Sequence, residues 1–146
     1  MMEKIRIKRL REDAKLPTYG SEYAAGADLY ACLAETVSIA PGETAWIPTG
    51  IAMEVPANCA GLIFARSSMG AKRGLAPANK VGVIDPDYRG EVQVVLHNHS
   101  SELQTVAPGE RIAQLVVVPV FTPGFVEADE LSDTVRGEGG FGSTGK

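Results

Sequence analysis

Arg136, Phe141, Ser143 and Thr144 stand in a stretch that is otherwise mostly glycine, Arg136-Gly137-Glu138-Gly139-Gly140-Phe141-Gly142-Ser143-Thr144-Gly145-Lys146. A guanidinium can fork onto phosphate oxygens, two hydroxyls can donate to others, and an aromatic ring can stack on a base. Glycine at this density lets main-chain N–H groups approach an anion closely. The segment reads as a lid that folds over a nucleotide, with a flexible Gly-rich terminus as the bland alternative. Its Gly140–Lys146 portion also fits G-x-x-x-x-G-K. That motif works between a strand and a helix, with a hydroxyl after the lysine, and neither follows Lys146 here. The match is set down to composition.

Two further clusters and two single residues carry chemistry. Asp85-Pro86-Asp87-Tyr88-Arg89-Gly90-Glu91 brings three carboxylates, a phenol and an arginine to a strand–turn–strand junction. Asp87 and Gly90 are ordinary turn residues. Asp85 ends an apolar run, where a carboxylate is costly without a partner or a task, and one such task is to deprotonate a water. Tyr88 offers a flat face to a sugar or base, or simply packs. Arg66-Ser67-Ser68 ends another strand, and its hydroxyls and guanidinium suit an anion or else form an N-cap with an exposed arginine. Asp28, alone in an apolar stretch, suffices in principle for magnesium held through water. Gln114 is a lone amide in an apolar strand, needing partners if buried or facing solvent from an edge.

The elements that position these groups are short. With 16 Gly and 9 Pro, breakers recur too often for long helices. Between them lie β-branched runs at 5–10, 44–48, 51–55, 61–65, 81–84, 91–96 and 112–118, punctuated by Pro41-Gly42, Arg89-Gly90 and Pro108-Gly109. The pattern predicts an all-β chain, an antiparallel jelly-roll-like barrel of short strands with a flexible Gly-rich C-terminal arm. The Ala-rich segment Ser21–Glu35 scores as helix by propensity, but Gly26 in its middle favours strand. Ser67–Lys72 is expected as a short helix capped by Ser67.

At 146 residues the chain is read as one domain, 1–146, with a core over 1–134 and a lid over 135–146. The formal charge of −4 argues against a nucleic-acid polymer as partner. No apolar run is long enough to span a bilayer, and the start Met1–Arg6 lacks a signal-peptide core, so a cytoplasmic protein is expected. Cys32 and Cys59 lack metal-ligand spacing and are expected as two buried thiols in a reducing cytosol.

Taken in order, Ala25-Gly26-Ala27-Asp28-Leu29, Arg66-Ser67-Ser68, Gly82–Gly90, Gly109-Glu110-Arg111-Ile112-Ala113-Gln114-Leu115 and Arg136–Gly145 closely resemble the five motifs of the trimeric dUTPase family. The resemblance runs from about Ala25 to Lys146. It implies hydrolysis of dUTP to dUMP and pyrophosphate by Mg2+-assisted attack of water on the α-phosphorus. That reaction would keep uracil out of DNA and supply dUMP for dTMP synthesis. It further implies a homotrimer whose sites are shared between chains.

The same resemblance assigns residues. Asp85 becomes the base, and Asp28 the contact to Mg2+ through water. Arg66, Ser67, Ser68 and Gln114 handle the phosphates. Asn79 reads the uracil edge in a hairpin whose backbone, Gly82 and Ile84 included, does the rest. Tyr88 lies under the deoxyribose and leaves no room for a 2′-hydroxyl. Arg136, Phe141, Gly142, Ser143 and Thr144 close the site. Ala65 and Ser68 depart from the family's usual Pro and Gly, and an Arg-Ser-Ser triplet is also similar to that of dCTP deaminases. A deaminase, or a non-catalytic nucleotide-binding module, are the competing readings.

Overall fold

The computed structural model describes residues 4–145. Lys146, which completes the G-x-x-x-x-G-K match, and Met1-Met2-Glu3 lie outside them. Among the described residues twelve strands follow one another. The first six are β1 (Ile7–Arg9), β2 (Thr18–Tyr19), β3 (Ala27–Tyr30), β4 (Val37–Ile39), β5 (Thr44–Pro48) and β6 (Ile51–Met53). The rest are β7 (Cys59–Phe64), β8 (Leu75–Pro77), β9 (Gly82–Ile84), β10 (Gln93–Asn98), β11 (Gln104–Val106) and β12 (Arg111–Pro119). All pairings are antiparallel, in four sheets ordered β2-β3-β12-β7-β9, β5-β10-β8, β1-β6 and β11-β4.

Alternation builds the core. Along β10, Val94, Leu96 and Asn98 point inward while Gln93, Val95 and His97 do not. They join Leu29, Ile39, Ile47, Ile51, Leu75 and Ile112, each nearly or wholly removed from solvent. Asn98, the polar member, is satisfied: its amide donates to the Ile39 and Glu102 carbonyls, 2.8 Å each, and its oxygen accepts from Ser100. A buried amide is tolerated only on those terms.

The tetrapeptide Ala-Pro-Gly-Glu occurs twice and folds the same way twice. At 40–43 and 107–110 the Glu N–H donates to the Ala carbonyl, with Gly42 and Gly109 at φ 79° and 74°. Proline then glycine in these positions gives a type II turn. Each glutamate also accepts from its own alanine N–H, at 3.3 and 2.9 Å.

Several expectations need correcting. Strand within Ser21–Glu35 is confined to Ala27–Tyr30. Ser68–Lys72 is a five-residue π-helical turn, and Ser67 is already helical at φ −58°, ψ −38°, making no side-chain cap. A capping residue needs extended backbone to aim its oxygen back, so Ser67 cannot serve. Among the described residues β8 and β9 lie in different sheets, so Asn79 sits in a sheet-switching turn rather than a hairpin. Cys32 is buried as expected, but Cys59, at the start of β7, is only half-buried; both thiols are free.

Beyond β12 the chain leaves the sheets. Val120 N–H still donates to the Asn58 carbonyl at 2.9 Å, after which residues 121–138 are all exposed. Phe121, Phe125, Val126, Leu131 and Val135 are among them, each at least 89% exposed.

Candidate functional site

The first group of candidate residues gathers on one face of β3 and β12. Gln114 lies directly opposite Asp28, and Arg111 opposite Tyr30, with a register shift between Arg111 and Ala113. Side chains three positions apart on a regular strand point to opposite faces; the irregularity puts Arg111 and Gln114 on the same one. Ile112 and Ala113 are consequently both fully buried.

Asp28 is the hub. Its Oδ1 accepts from Arg66 Nε at 2.8 Å and its Oδ2 from Arg111 Nη1 at 3.3 Å. Arg66 Nη1 also donates to Ser68 Oγ at 3.2 Å and the Arg111 carbonyl at 3.4 Å. Ser68 therefore supplies a hydroxyl that steadies Arg66. Gln114 Nε2 donates to the Ala65 carbonyl at 2.9 Å, tying β12 to the peptide before Arg66. Its strand is central in the five-stranded sheet, which removes the edge-strand alternative. Ser67 is exposed beside this cluster. The π-helical turn behind it is anchored by Arg73, which bonds Glu110, the Thr105 carbonyl and Met69 Sδ. Two guanidiniums against one carboxylate leave local positive charge, suited to a polyanion.

The second group lines a groove of about 420 Å³ whose walls include Trp46, Asn79, Val83, Asp85, Tyr88 and Glu91. Gly82 and Ile84 contribute to the same wall. Among the described residues, none of the Asp28 cluster does. Asn79 lies in the turn after β8, where Ala78 N–H donates to the Val95 carbonyl at 2.8 Å and Lys80 takes φ 68°. Asp85 follows the buried Ile84 but is itself exposed, contrary to expectation. The chain bends away at Pro86, with Tyr88 N–H on the Asp85 carbonyl at 3.2 Å. Burial therefore says nothing for Asp85; its place in the groove does.

Tyr88 is folded back onto its own loop. Its Oη donates to the Glu91 carbonyl at 2.8 Å. A Cβ on Gly90 would sit 2.5 Å from that oxygen, so only glycine lets the ring fold back there. Glu91 in turn accepts from Arg11 Nη2 at 2.5 Å and from Gly50 N–H at 2.8 Å. Glu91 first, and the Cys32 sulfur second, hold the Arg11 guanidinium further above its ordinary range.

The glycine-rich segment forms successive turns apart from both groups. Arg136 Nε donates to the Gly139 carbonyl at 2.6 Å, and Ser143 N–H to that of Gly140 at 3.0 Å. Phe141 is fully exposed, at φ 52°, and Gly142 and Thr144 are exposed around it.

Arg111 and the Arg11–Glu91 pair were not singled out in the sequence. Arg111 stands inside the Gly109–Leu115 motif, but only the strand irregularity shows that it reaches Asp28. A pair 80 residues apart leaves no local signal. Among the described residues there is no group of three or more His, Cys, Asp or Glu that could hold a metal. Asp28 alone fits an ion that keeps its waters and brings other ligands with it.

Comparison with known proteins converges. The dUTPase family model matches residues 12–145. A deoxyuridine 5′-triphosphate nucleotidohydrolase of Hahella chejuensis is 47% identical over 99% of this chain and 96% of its own length. One of Desulfitobacterium hafniense is 51% identical over 97% and 96%. Among solved structures, a variant of the Staphylococcus bacteriophage 80alpha dUTPase with dUpNHpp superposes with TM-score 0.89 at 29% identity, covering 99% of this chain and all of that one. A variant of the phage phi11 dUTPase of S. aureus, described with a structural Mg(II) ion, gives TM-score 0.81 at 25% identity over 90% of this chain and all of that one.

Proposed function

Because the chain belongs to the dUTPase family, we propose that it hydrolyses dUTP to dUMP and pyrophosphate, water attacking the α-phosphorus. The observation that carries this reading is the groove that Asn79, Asp85 and Tyr88 line together. Such a groove offers one amide for a base edge, one ring for a sugar and one carboxylate for a water. Asp85 accepts the water's proton, and an exposed carboxylate is accessible for that task. Arg66, Ser67, Ser68 and Gln114 hold the phosphates, with Arg111 as a second guanidinium. Little covalent chemistry is asked of the protein, since phosphoryl transfer is promoted mainly by position and charge. Removing dUTP in this way keeps uracil out of DNA and supplies dUMP for dTMP synthesis.

Asp28 would hold Mg2+ through water. When bound, Mg2+ would supply stabilisation of the negative charge on the phosphate oxygens. The assembly is a homotrimer, its sheets closed as jelly-roll barrels. Each chain is one domain, 1–146, whose segment 135–146 closes a site on a neighbour. Support comes from the separation of the Asp28 cluster from the groove, and from an arm whose aromatic residues are uncovered in the single chain. No described helix is long and apolar enough to cross a membrane, and the two free thiols suit a reducing cytoplasm.

The test is pyrophosphate release from dUTP measured beside ammonia release from dCTP. Pyrophosphate from dUTP alone supports the reading. Ammonia would make the chain a deaminase, and neither product would leave a nucleotide-binding module.

A further inference from the structure

The ring of Tyr88 is only as well placed as the peptide that holds its hydroxyl, the Glu91 carbonyl. That peptide is gripped from outside its own loop. The Glu91 carboxylate takes Arg11 Nη2 at 2.5 Å, Arg11 Nη1 at 3.5 Å and Gly50 N–H at 2.8 Å. One residue on, Val92 N–H donates to the Ile51 carbonyl at 2.8 Å, and the Val92 carbonyl accepts the Thr49 hydroxyl at 2.5 Å. The 49–51 bend therefore clasps residues 91 and 92. Arg11 is fixed to the same bend, since Leu10 N–H donates to the Gly50 carbonyl at 2.7 Å.

The Arg11–Glu91 pair is partly buried, with side chains 43% and 19% exposed. Losing one partner would leave the other charge short of company in a half-desolvated place. The Glu91 peptide could then tilt, and a ring that excludes a hydroxyl by contact loses its effect when displaced by a fraction of an ångström. The substitution Glu91→Gln would keep the shape and the Gly50 bond but surrender the charge.

We propose that Arg11 and Glu91 are positioning residues for sugar discrimination, setting the Tyr88 ring from the other end of the sequence. This rests on the reading of Tyr88 as the ring that leaves no room for a 2′-hydroxyl. The experiment measures kcat and KM for dUTP and UTP with the full chain and its Arg11→Ala, Arg11→Lys, Glu91→Gln and Tyr88→Ala variants. Arg11→Ala and Glu91→Gln should each lower the dUTP-over-UTP ratio of kcat/KM by about tenfold, within the range of coupling between contacting residues. The loss should lie mainly in KM, Arg11→Lys should recover part of it, and the double variant should be no worse than either single one. A thermal melt certifies the fold, and Glu91→Gln, nearly isosteric, stands in should Arg11→Ala fail to fold. If Tyr88→Ala abolishes the preference while folded Arg11→Ala and Glu91→Gln retain it, the positioning role is overturned. If Tyr88→Ala also retains it, the sugar-check reading itself falls, and this proposal with it.

Discussion

The Gln114 amide occupies the space that a side chain at position 26 would need: an ideal Cβ on Gly26 would overlap Gln114 Oε1. The glycine of the first motif thus seats the amide of the fourth, which in turn ties the Ala65 carbonyl before Arg66. Gly26→Ala should displace Gln114 and loosen Arg66 with little change in the fold. A shift of about 1 Å in a positioning group costs roughly 10²-fold in rate, so kcat/KM for dUTP should fall about that far. Steady-state kinetics with a circular-dichroism control checks this, and near-normal kcat/KM would show that Gln114 does not matter there.

Asp85→Asn removes a proton acceptor while keeping its shape. Turnover should drop by about 10²–10⁴-fold, the usual worth of a general base, while dUMP still binds. Calorimetric titration with dUMP alongside turnover separates the two, and a folded variant with ordinary turnover would move the base elsewhere.

Gly50 is a place where backbone and packing agree on one residue. It sits at φ 71°, and a Cβ there would lie 2.8 Å from both Ala14 Cβ and Cys32 Sγ. Gly50→Ala adds left-handed strain to overpacking and should cost about 2–4 kcal/mol. Chemical unfolding at fixed chain concentration measures it. A loss below about 0.5 kcal/mol, the scale of an ordinary surface change, would mean that the bend relaxes freely.

Substrate preference should follow the groove. A wall that excludes a group by contact discriminates far better than a loose apolar pocket, so dUTP should outrun UTP, dTTP and dCTP by orders of magnitude in kcat/KM. Comparable values for UTP and dUTP would contradict the role given to Tyr88.

Legibility in the sequence followed apolar, β-branched runs rather than strand length, since the three-residue strands β1, β6 and β9 lie within the runs at 5–10, 51–55 and 81–84. Thr44–Pro48 is β5 to the residue, and the runs at 61–65 and 112–118 fall on β7 and β12, because these strands carry alternating or continuous apolar residues of their own. Strands β2, β4, β8 and β11, of two or three residues, were missed because their partners define them rather than their composition. The site showed the same division. Asp28 and Gln114 stood out as polar groups in apolar runs, Asp85 for a burial that it does not have, and Arg66 and Tyr88 took their roles from the resemblance. Arg111 needed a strand irregularity and Glu91 a partner 80 residues away, and neither leaves a local trace. Ser67 misled because its type suits a cap while its backbone does not.

Base and lid, on the function proposed above, come from different chains of one trimer. Asp85→Asn chains and chains ending before Arg136, each inactive alone, are co-refolded in equal amounts, and mixed trimers are confirmed by mass. If each site takes its base from one chain and its lid from another, each is intact with probability one half times one half, so roughly a quarter of full activity returns. If the lid closes over the Asp85 of its own chain, no mixed site is complete, and recovery near zero in confirmed mixed trimers would rule out a site shared between chains.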